Sequence, residues 1–385
     1  MKILFYCQHV LGIGHLFRSL AICRALAPHP VVLVTGGSRV ETPLPPNVRE
    51  TALPPLMMDA DFSRLYDADG GTSLAAVKAR RQQQLFDLVA QTAPETVVIE
   101  LYPFGRKAFG FELDPVLQAI RDGTLPPARV VCSLRDILVE KADPAAYEAR
   151  VLDRLARFFD ALLIHADPSV VRLEETFGRS AEIPVAQVYT GFVTPRPARD
   201  ARRRMRRQLG LGPNEKLIVA SAGGGSVGRD LLEAAVAAFH RLPHAAGCRL
   251  HVFSGPFLAA DAFEGLQRLA GAGCRIQRFT PDFVSYLAAA DLSVSMAGYN
   301  TSMNILASRV PALVWPFPQN REQGLRAERL ARRGALRVLA ASDLQPDALA
   351  ARMRQALDAG PAPTSGIDLD GAAATAAWLT AGDAP

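Results

Sequence analysis

The stretch Lys216–Phe239, KLIVASAGGGSVGRDLLEAAVAAF, decides the fold. It opens on an apolar run, passes through four glycines and a serine, and closes on residues with helical spacing. Strand, glycine loop and helix in that order make one βα unit of a parallel sheet. Gly223, Gly224, Gly225 and Gly228 let backbone N–H groups face an anion at the helix N-terminus, where the dipole also favours negative charge. Ser226 adds a hydroxyl. A tight turn that binds nothing needs fewer glycines, so phosphate contact is the expectation. No Gly-Lys-Ser/Thr follows, which excludes a P-loop.

The same alternation extends in both directions. Before the stretch, the runs KILFYC, VVLVT, TVVIEL, RVVCSL and ALLIHA are separated by segments of helical spacing. After it come RLHVFS, CRIQRF, DLSVSM and ALVWPF. The pattern breaks at the Pro- and Arg-rich TGFVTPRPARDARRRMRRQ, which places a domain boundary near Thr194–Arg199. The reading is α/β throughout: two Rossmann-like, doubly wound parallel-sheet domains with a cleft between them, covering residues 1–195 and 205–365. An Ala/Gly/Pro-rich tail, 366–385, carries one helix-like piece expected to pack back on the first domain. Ligands are expected at the carboxyl ends of the strands.

A chain of 385 residues exceeds one ordinary core, in keeping with two domains. Hydrophobic residues make up 49% and charged residues 21%, the balance of a soluble globular protein. The net charge of +5 comes with no nucleic-acid-binding motif, so no nucleic-acid partner is expected. The five cysteines are scattered and read as reduced core residues of a cytoplasmic protein. The N-terminal MKILFYCQHVLGIGHLF reads as a first strand, not a signal peptide, and no apolar run is long enough to span a membrane. The arginines Arg202, Arg203, Arg204, Arg206 and Arg207 form either a solvated interdomain helix face or a peripheral contact with anionic lipid.

Three further loops fall at strand ends. Gly12 and Gly14 give a partial GxGxxG whose third position is Phe17, a weak dinucleotide signal. His15 enters the following helix there and is a candidate general base. Glu100 ends another strand, placed to orient a histidine or to act as the base itself. Arg135-Asp136 reads as a loop-fixing ion pair. In Gly298–Gln323, GYNTSMNILASRVPALVWPFPQNREQ, hydrogen-bonding side chains crowd a short helix and a buried strand that need none of them for packing.

Together these residues resemble the GT-B glycosyltransferases, and among them the family of the N-acetylglucosaminyltransferase that forms lipid II, with its "predicted glycosyltransferase" relatives. The likeness is strongest from Gly223 to Gly334. The resemblance implies a donor site in which Gly223, Gly224, Gly225 and Ser226 hold phosphates and Phe283 meets the nucleotide base. Gly298, Asn300, Thr301 and Ser302 would lie beneath the diphosphate at a helix N-terminus. Asn304 would face the ribose, and Glu322 and Gln323 the sugar hydroxyls. Gly12, Gly14 and His15 would form the acceptor-side loop. Asn304 replaces a glutamate common in relatives, and Met296 stands where some place a phosphate-contacting side chain.

The implied activity is inverting, metal-independent transfer from a nucleotide-sugar, UDP-sugar first, to a hydroxyl or amine of a small-molecule or lipid-linked acceptor. No cofactor or metal is expected: the resemblance is to enzymes that generally need no bound metal, and no His/Cys cluster with ligand spacing stands in the sequence. The catalytic pair would be His15 and Glu100. Leu53–Leu74 is the expected acceptor loop, with Arg80 and Arg81 either meeting an anionic acceptor or forming a solvated helix face. A nucleotide-sugar epimerase or hydrolase and a non-catalytic nucleotide-sugar-binding protein are the alternatives.

Overall fold

The computed structural model describes residues 1–10, 14–58, 64–68, 70–71, 73–224, 227–242, 247–360 and 366–381. Gly12, Gly225 and Ser226 therefore lie outside the described residues. The chain forms two compact units, Met1–Val193 with Asp368–Pro385 and Thr194–Ile367.

The first unit contains β1 (Ile3–Cys7), α1 (Gly14–Ala25), β2 (Val31–Thr35), β3 (Val48–Ala52), β4 (Leu56–Met58), β5 (Leu65–Asp67), α2 (Leu74–Thr92), β6 (Thr96–Glu100), α3 (Gly110–Arg121), β7 (Arg129–Arg135), α4 (Pro144–Phe158), β8 (Ala161–His165) and β9 (Ala186–Tyr189). Seven of these strands form one parallel sheet in the order β3-β2-β1-β6-β7-β8-β9. β1, β6 and β8 are buried along their whole length, which is why they read as continuous apolar runs and not as alternation. β4 and β5 pair as a short antiparallel hairpin inside the Leu53–Leu74 segment expected to form the acceptor loop.

The second unit contains α5 (Ala201–Gln208), β10 (Lys216–Ser221), α6 (Arg229–Phe239), β11 (Cys248–Phe253), α7 (Ala260–Leu269), β12 (Cys274–Gln277), α8 (Phe283–Ala289), β13 (Leu292–Met296), α9 (Tyr299–Ser308), β14 (Ala312–Trp315), α10 (Arg321–Arg332), β15 (Arg337–Val338) and α11 (Pro346–Asp358). Its parallel sheet runs β12-β11-β10-β13-β14-β15. The last helix, α12 (Gly371–Thr380), belongs to the first unit, where Ala376 and Leu379 join the core that holds Leu16 and Leu20 of α1.

Both sheets carry one topology. Each starts in its middle, winds outward over three strands, returns to the middle and winds the other way. The strand order reverses between β1 and β6 in the first unit and between β10 and β13 in the second. A reversal opens a crevice at the strand carboxyl ends, because the two flanking connections leave on opposite faces of the sheet.

Arg81 departs from the expected surface or acceptor role. It is fully buried on α2. Its guanidinium donates to Glu112 over 2.6 and 2.7 Å, to the carbonyls of Gly36 and Pro54, and to Gln8 Oε1. The fork satisfies loop carbonyls that have no ladder partner. It also explains the glycine at 36, where a β-carbon would stand 2.5 Å from Arg81 Nη1.

The arginines of α5 are likewise divided in use. Arg202 and Arg206 bond Asp291 over 2.8 and 3.1 Å, and both also donate to carbonyls at the C-terminus of α8. Arg203, Arg204 and Arg207 are exposed. Among the described residues no helix is long and apolar enough to cross a membrane.

Candidate active site

The crevice of the first unit is flanked by α1, which follows β1, and by the end of β6. In the sheet register Tyr6 lies opposite Ile99, so the exit from β1 sits beside Glu100. His15, one residue into α1, reaches across: its Nδ1 lies 2.7 Å from Glu100 Oε1. Arg18 Nη2 donates to the same oxygen. His15 and Arg18 share a face of the helix because they are three residues apart. The Glu100 side chain is fully buried, that of Arg18 is 3% exposed and that of His15 is 20% exposed.

Burial alone would raise the Glu100 pKa, but His15, Arg18 and Arg106 outweigh it and hold the carboxyl well below the usual range. Glu100 is therefore an ionised carboxylate, with Arg18 as its counter-charge. Burial, with added repulsion from Arg106 and Arg18, pushes His15 down to about 3 against the attraction of Glu100. The imidazole is therefore neutral; a carboxylate oxygen only accepts, which assigns the proton to Nδ1 at 2.7 Å, while Arg18 Nη2 also stands 3.2 Å from that nitrogen. That tautomer leaves a lone pair on Nε2. A neutral histidine oriented by a buried carboxylate is a general-base arrangement.

Beneath the pair lies a second buried row. Ser133 Oγ and Thr190 Oγ1 flank His165 at 2.7 and 2.9 Å. His165 is fully buried and is pushed down to about 3, by burial first and then by the Arg18 charge.

In the second unit the crevice lies between the loop after β10 and the loop after β13. Gly223 has φ +68°, the left-handed region, and its N–H donates to Ser221 Oγ over 3.1 Å. The Gly224 carbonyl accepts from Phe257 N over 3.1 Å. A β-carbon on Gly223 would lie 3.6 Å from Thr301 Oγ1, so the glycine loop and the first turn of α9 are neighbours. Gly298 caps α9 with open space where a side chain would be. Ser302 is fully buried and its Oγ has no hydrogen-bond partner among the described residues. Gly223, Gly224, Gly298, Asn300, Thr301 and Ser302 therefore gather at this end of the sheet. Phe283 opens α8 and packs edge-on against Phe253.

Other candidates are placed differently. Met296 is 2% exposed, and Gly228 (φ +99°) packs on it so closely that a β-carbon would lie 3.1 Å from Met296 Sδ. It is a floor for the glycine loop, not a ligand-facing side chain. Asn304 Oδ1 accepts from Thr194 Oγ1 over 2.9 Å. Gln323 Oε1 accepts from Phe317 N over 3.2 Å, with Asn320 capping α10 through Gln323 N. Glu322 is 8% exposed and lies 3.9 Å from the buried Arg326, whose Nη1 donates to the Ala297 carbonyl.

Residues 221–366 match the glycosyltransferase family 28 C-terminal domain. An uncharacterised glycosyltransferase of Methanopyrus kandleri is 24% identical over 197 residues, a match covering 49% of this chain and 53% of the relative. The chain thus spans about half the length of that curated relative. Among solved structures, MurG of Acinetobacter baumannii superposes over 98% of this chain and 95% of its own, with a TM-score of 0.54 and 16% identity. UGT2 of Phytolacca americana, in complex with UDP-2-fluoroglucose and pterostilbene, superposes over 93% and 90%, with a TM-score of 0.60 and 13% identity. The class defined by the two matching sheets and these superpositions is the GT-B fold. Within it, the second unit is similar to the C-terminal domain of glycosyltransferase family 28 over residues 221–366.

Arg18 and Arg106 are the charged site residues that the sequence reading passed over. The signal for Arg18 was its spacing from His15. For Arg106, on a loop, no periodicity pointed inward.

Proposed function

We propose that this chain is an inverting glycosyltransferase that takes a sugar from a nucleotide-sugar, UDP-sugar first, and places it on a hydroxyl or amine of an acceptor. The observation that carries this reading is the His15–Glu100 pair, which offers a neutral imidazole at a strand-reversal crevice while the other unit matches a glycosyltransferase domain. The UDP-sugar analogue bound by UGT2 of Phytolacca americana, which shares the fold, supports the choice of donor.

In this reading the glycine loop and the N-terminus of α9 hold the donor diphosphate. Backbone N–H groups and the α9 dipole would stabilise the charge that develops on the leaving group, the task a cation performs elsewhere, so the proposed transfer needs no metal. The acceptor oxygen or nitrogen attacks the anomeric carbon, the bond from that carbon to the phosphate oxygen breaks, and the acceptor proton passes to His15 Nε2. Glu100 fixes the tautomer and stabilises the imidazolium that forms. A single displacement inverts the anomeric centre. The location we propose is cytoplasmic, with an acceptor that is either a small molecule or lipid-linked.

The test is a thermal-shift panel of UDP-, dTDP-, GDP- and ADP-sugars with and without magnesium, followed by nucleoside diphosphate release assays on wild type and His15→Ala. Binding to the folded state raises the melting temperature by mass action. A shift with one nucleotide that is unchanged without metal, and release that depends on His15, is the expected outcome. No shift with any donor overturns the reading.

A further inference from the structure

The outer edge of the second sheet carries polar side chains where a parallel sheet is ordinarily apolar. On β11, Arg249 and His251 are two residues apart and share one face, and the register places Arg275 of β12 beside His251. With Gln208 and Leu209 at the end of α5 and Gly273 before β12, they line a cleft of about 470 Å³. The cleft lies toward the amino-terminal ends of β11 and β12, whereas the glycine loop leaves the carboxyl end of β10. It is a separate place from the crevice between β10 and β13.

Arg249 is committed within the protein. It donates to both Glu215 oxygens over 3.0 and 3.1 Å and to the carbonyls of Leu209 and Gly210. Arg275 is exposed and makes no hydrogen bond or ion pair among the described residues. His251 is 6% exposed; its Nδ1 is buried, and neither ring nitrogen has a hydrogen-bond partner among the described residues. Its ring packs against Tyr286 of α8, with centroids 5.5 Å apart. An arginine on an edge strand deters pairing with another sheet, and that alone would account for Arg275. It does not account for His251, which stands one strand inward, where a buried polar group without a partner is rare. Burial, then Arg275 and Arg249, push the His251 imidazole down to about 4, so the ring is neutral and keeps one N–H. The cleft thus offers N–H donors from Arg275, His251 and the Gln208 amide, with one positive charge in surplus. Such a set matches the acceptor oxygens of an anion, and the volume falls in the range of small-molecule sites.

We propose that this cleft binds a small organic oxyanion, with Arg275 as its counter-charge and His251 donating a hydrogen bond to it. The oxyanion is a phosphate ester or a carboxylate. The inference stands apart from the transferase reading, because its test reads binding at one named side chain and not turnover.

The experiment titrates inorganic phosphate, glycerol 3-phosphate and citrate into the full chain at matched ionic strength. It follows melting temperature and the imidazole resonances of His251, assigned through their contact with the Tyr286 ring. Wild type is compared with Arg275→Gln and with Arg354→Gln, which removes an exposed arginine of α11 outside the cleft. The His251 resonances shift saturably with at least one organic anion. Its affinity falls about tenfold in Arg275→Gln, the weight of one charge-assisted contact, and is unchanged in Arg354→Gln. Without ligand, Arg275→Gln melts as wild type does, because the guanidinium it removes has no hydrogen bond or ion pair to lose. Silent His251 resonances overturn the proposal even where an anion raises the melting temperature, since the anion then sits elsewhere, as at the glycine loop. Unchanged affinity in Arg275→Gln overturns it too, as does equal weakening in both variants, which general charge would explain. Tighter binding of glycerol 3-phosphate than of citrate assigns a phosphate ester, and the reverse order a carboxylate. If neither binds more tightly than inorganic phosphate, the assignment of an organic ligand is overturned.

Discussion

Thr194, the first residue of the second unit, donates its hydroxyl to Asn304 Oδ1 on α9 over 2.9 Å. The side chain expected to face a ribose is thus fastened to the chain that enters its own unit. Replacing Thr194 with Val and Asn304 with Ala, singly and together, should give a coupling of about 0.5–1.5 kcal/mol in a double-mutant cycle. Urea unfolding measures it, and additive effects would mean that the bond contributes nothing.

Glu100 carries two burdens that substitution separates. Glu100→Gln leaves Arg18 buried without its counter-charge and should cost about 3–5 kcal/mol in urea unfolding. His15→Ala removes a side chain that is 20% exposed and leaves the Arg18–Glu100 ion pair whole, so its stability cost should be the smaller. In the proposed reaction His15→Ala lowers kcat by about 10²–10⁴-fold, the usual weight of a general base.

The glycine loop offers a graded test. Gly223→Ala meets ordinary contact at 3.6 Å and suffers mainly from its positive φ, about 1–2 kcal/mol. Gly228→Ala adds a crowded β-carbon against Ala222 and Met296 and should cost more. Met296→Ala in that background should recover part of the loss. Thermal melts rank all three.

Stability should fall as pH drops below about 6.5. His165 is held at about 3 in the folded protein, below its unfolded value. Above the unfolded value neither state is protonated and the burial is free of titration cost. Below it the unfolded chain takes a proton that the folded protein refuses, and stability is lost until the pH reaches about 3. The slope is about 1.4 kcal/mol per pH unit for each such histidine. His165→Asn should flatten the profile between pH 6 and pH 4, read by urea unfolding in a pH series.

Ser302 Oγ is fully buried without a partner among the described residues, so Ser302→Ala should leave the melting temperature unchanged or raised. If the hydroxyl serves the donor diphosphate, the same variant weakens nucleotide-sugar binding about five- to tenfold, measured by titration calorimetry.

The βα alternation was legible because buried parallel strands are apolar throughout. The elements it did not reveal are those that lack this property. β3 (VRETA) is an edge strand with exposed Arg49 and Glu50, and β15 is only two residues, both exposed. Arg81 had a readable signal: Val77, Arg81, Leu85 and Val89 are four residues apart and all buried, so the charge stood on the inward face of α2. Placing His15 opposite Glu100 needed the strand order, since 85 residues separate them. Whether Glu322, Gln323 and Asn304 point outward or bond their neighbours depends on loop geometry, which residue type does not carry.

Because the chain leaves the first unit after Val193 and rejoins it at Asp368, that unit is built from both ends of the polypeptide while the second is one uninterrupted segment. During synthesis all seven strands of the first sheet are made before α12, whose Ala376 and Leu379 cover α1, so a nascent chain carries an uncovered apolar face while the entire second unit is translated. A genetic fragment comprising 194–367 is continuous and can be expressed by itself. One comprising 1–193 lacks its last helix, and supplying residues 368–381 as a separate peptide is the natural complement.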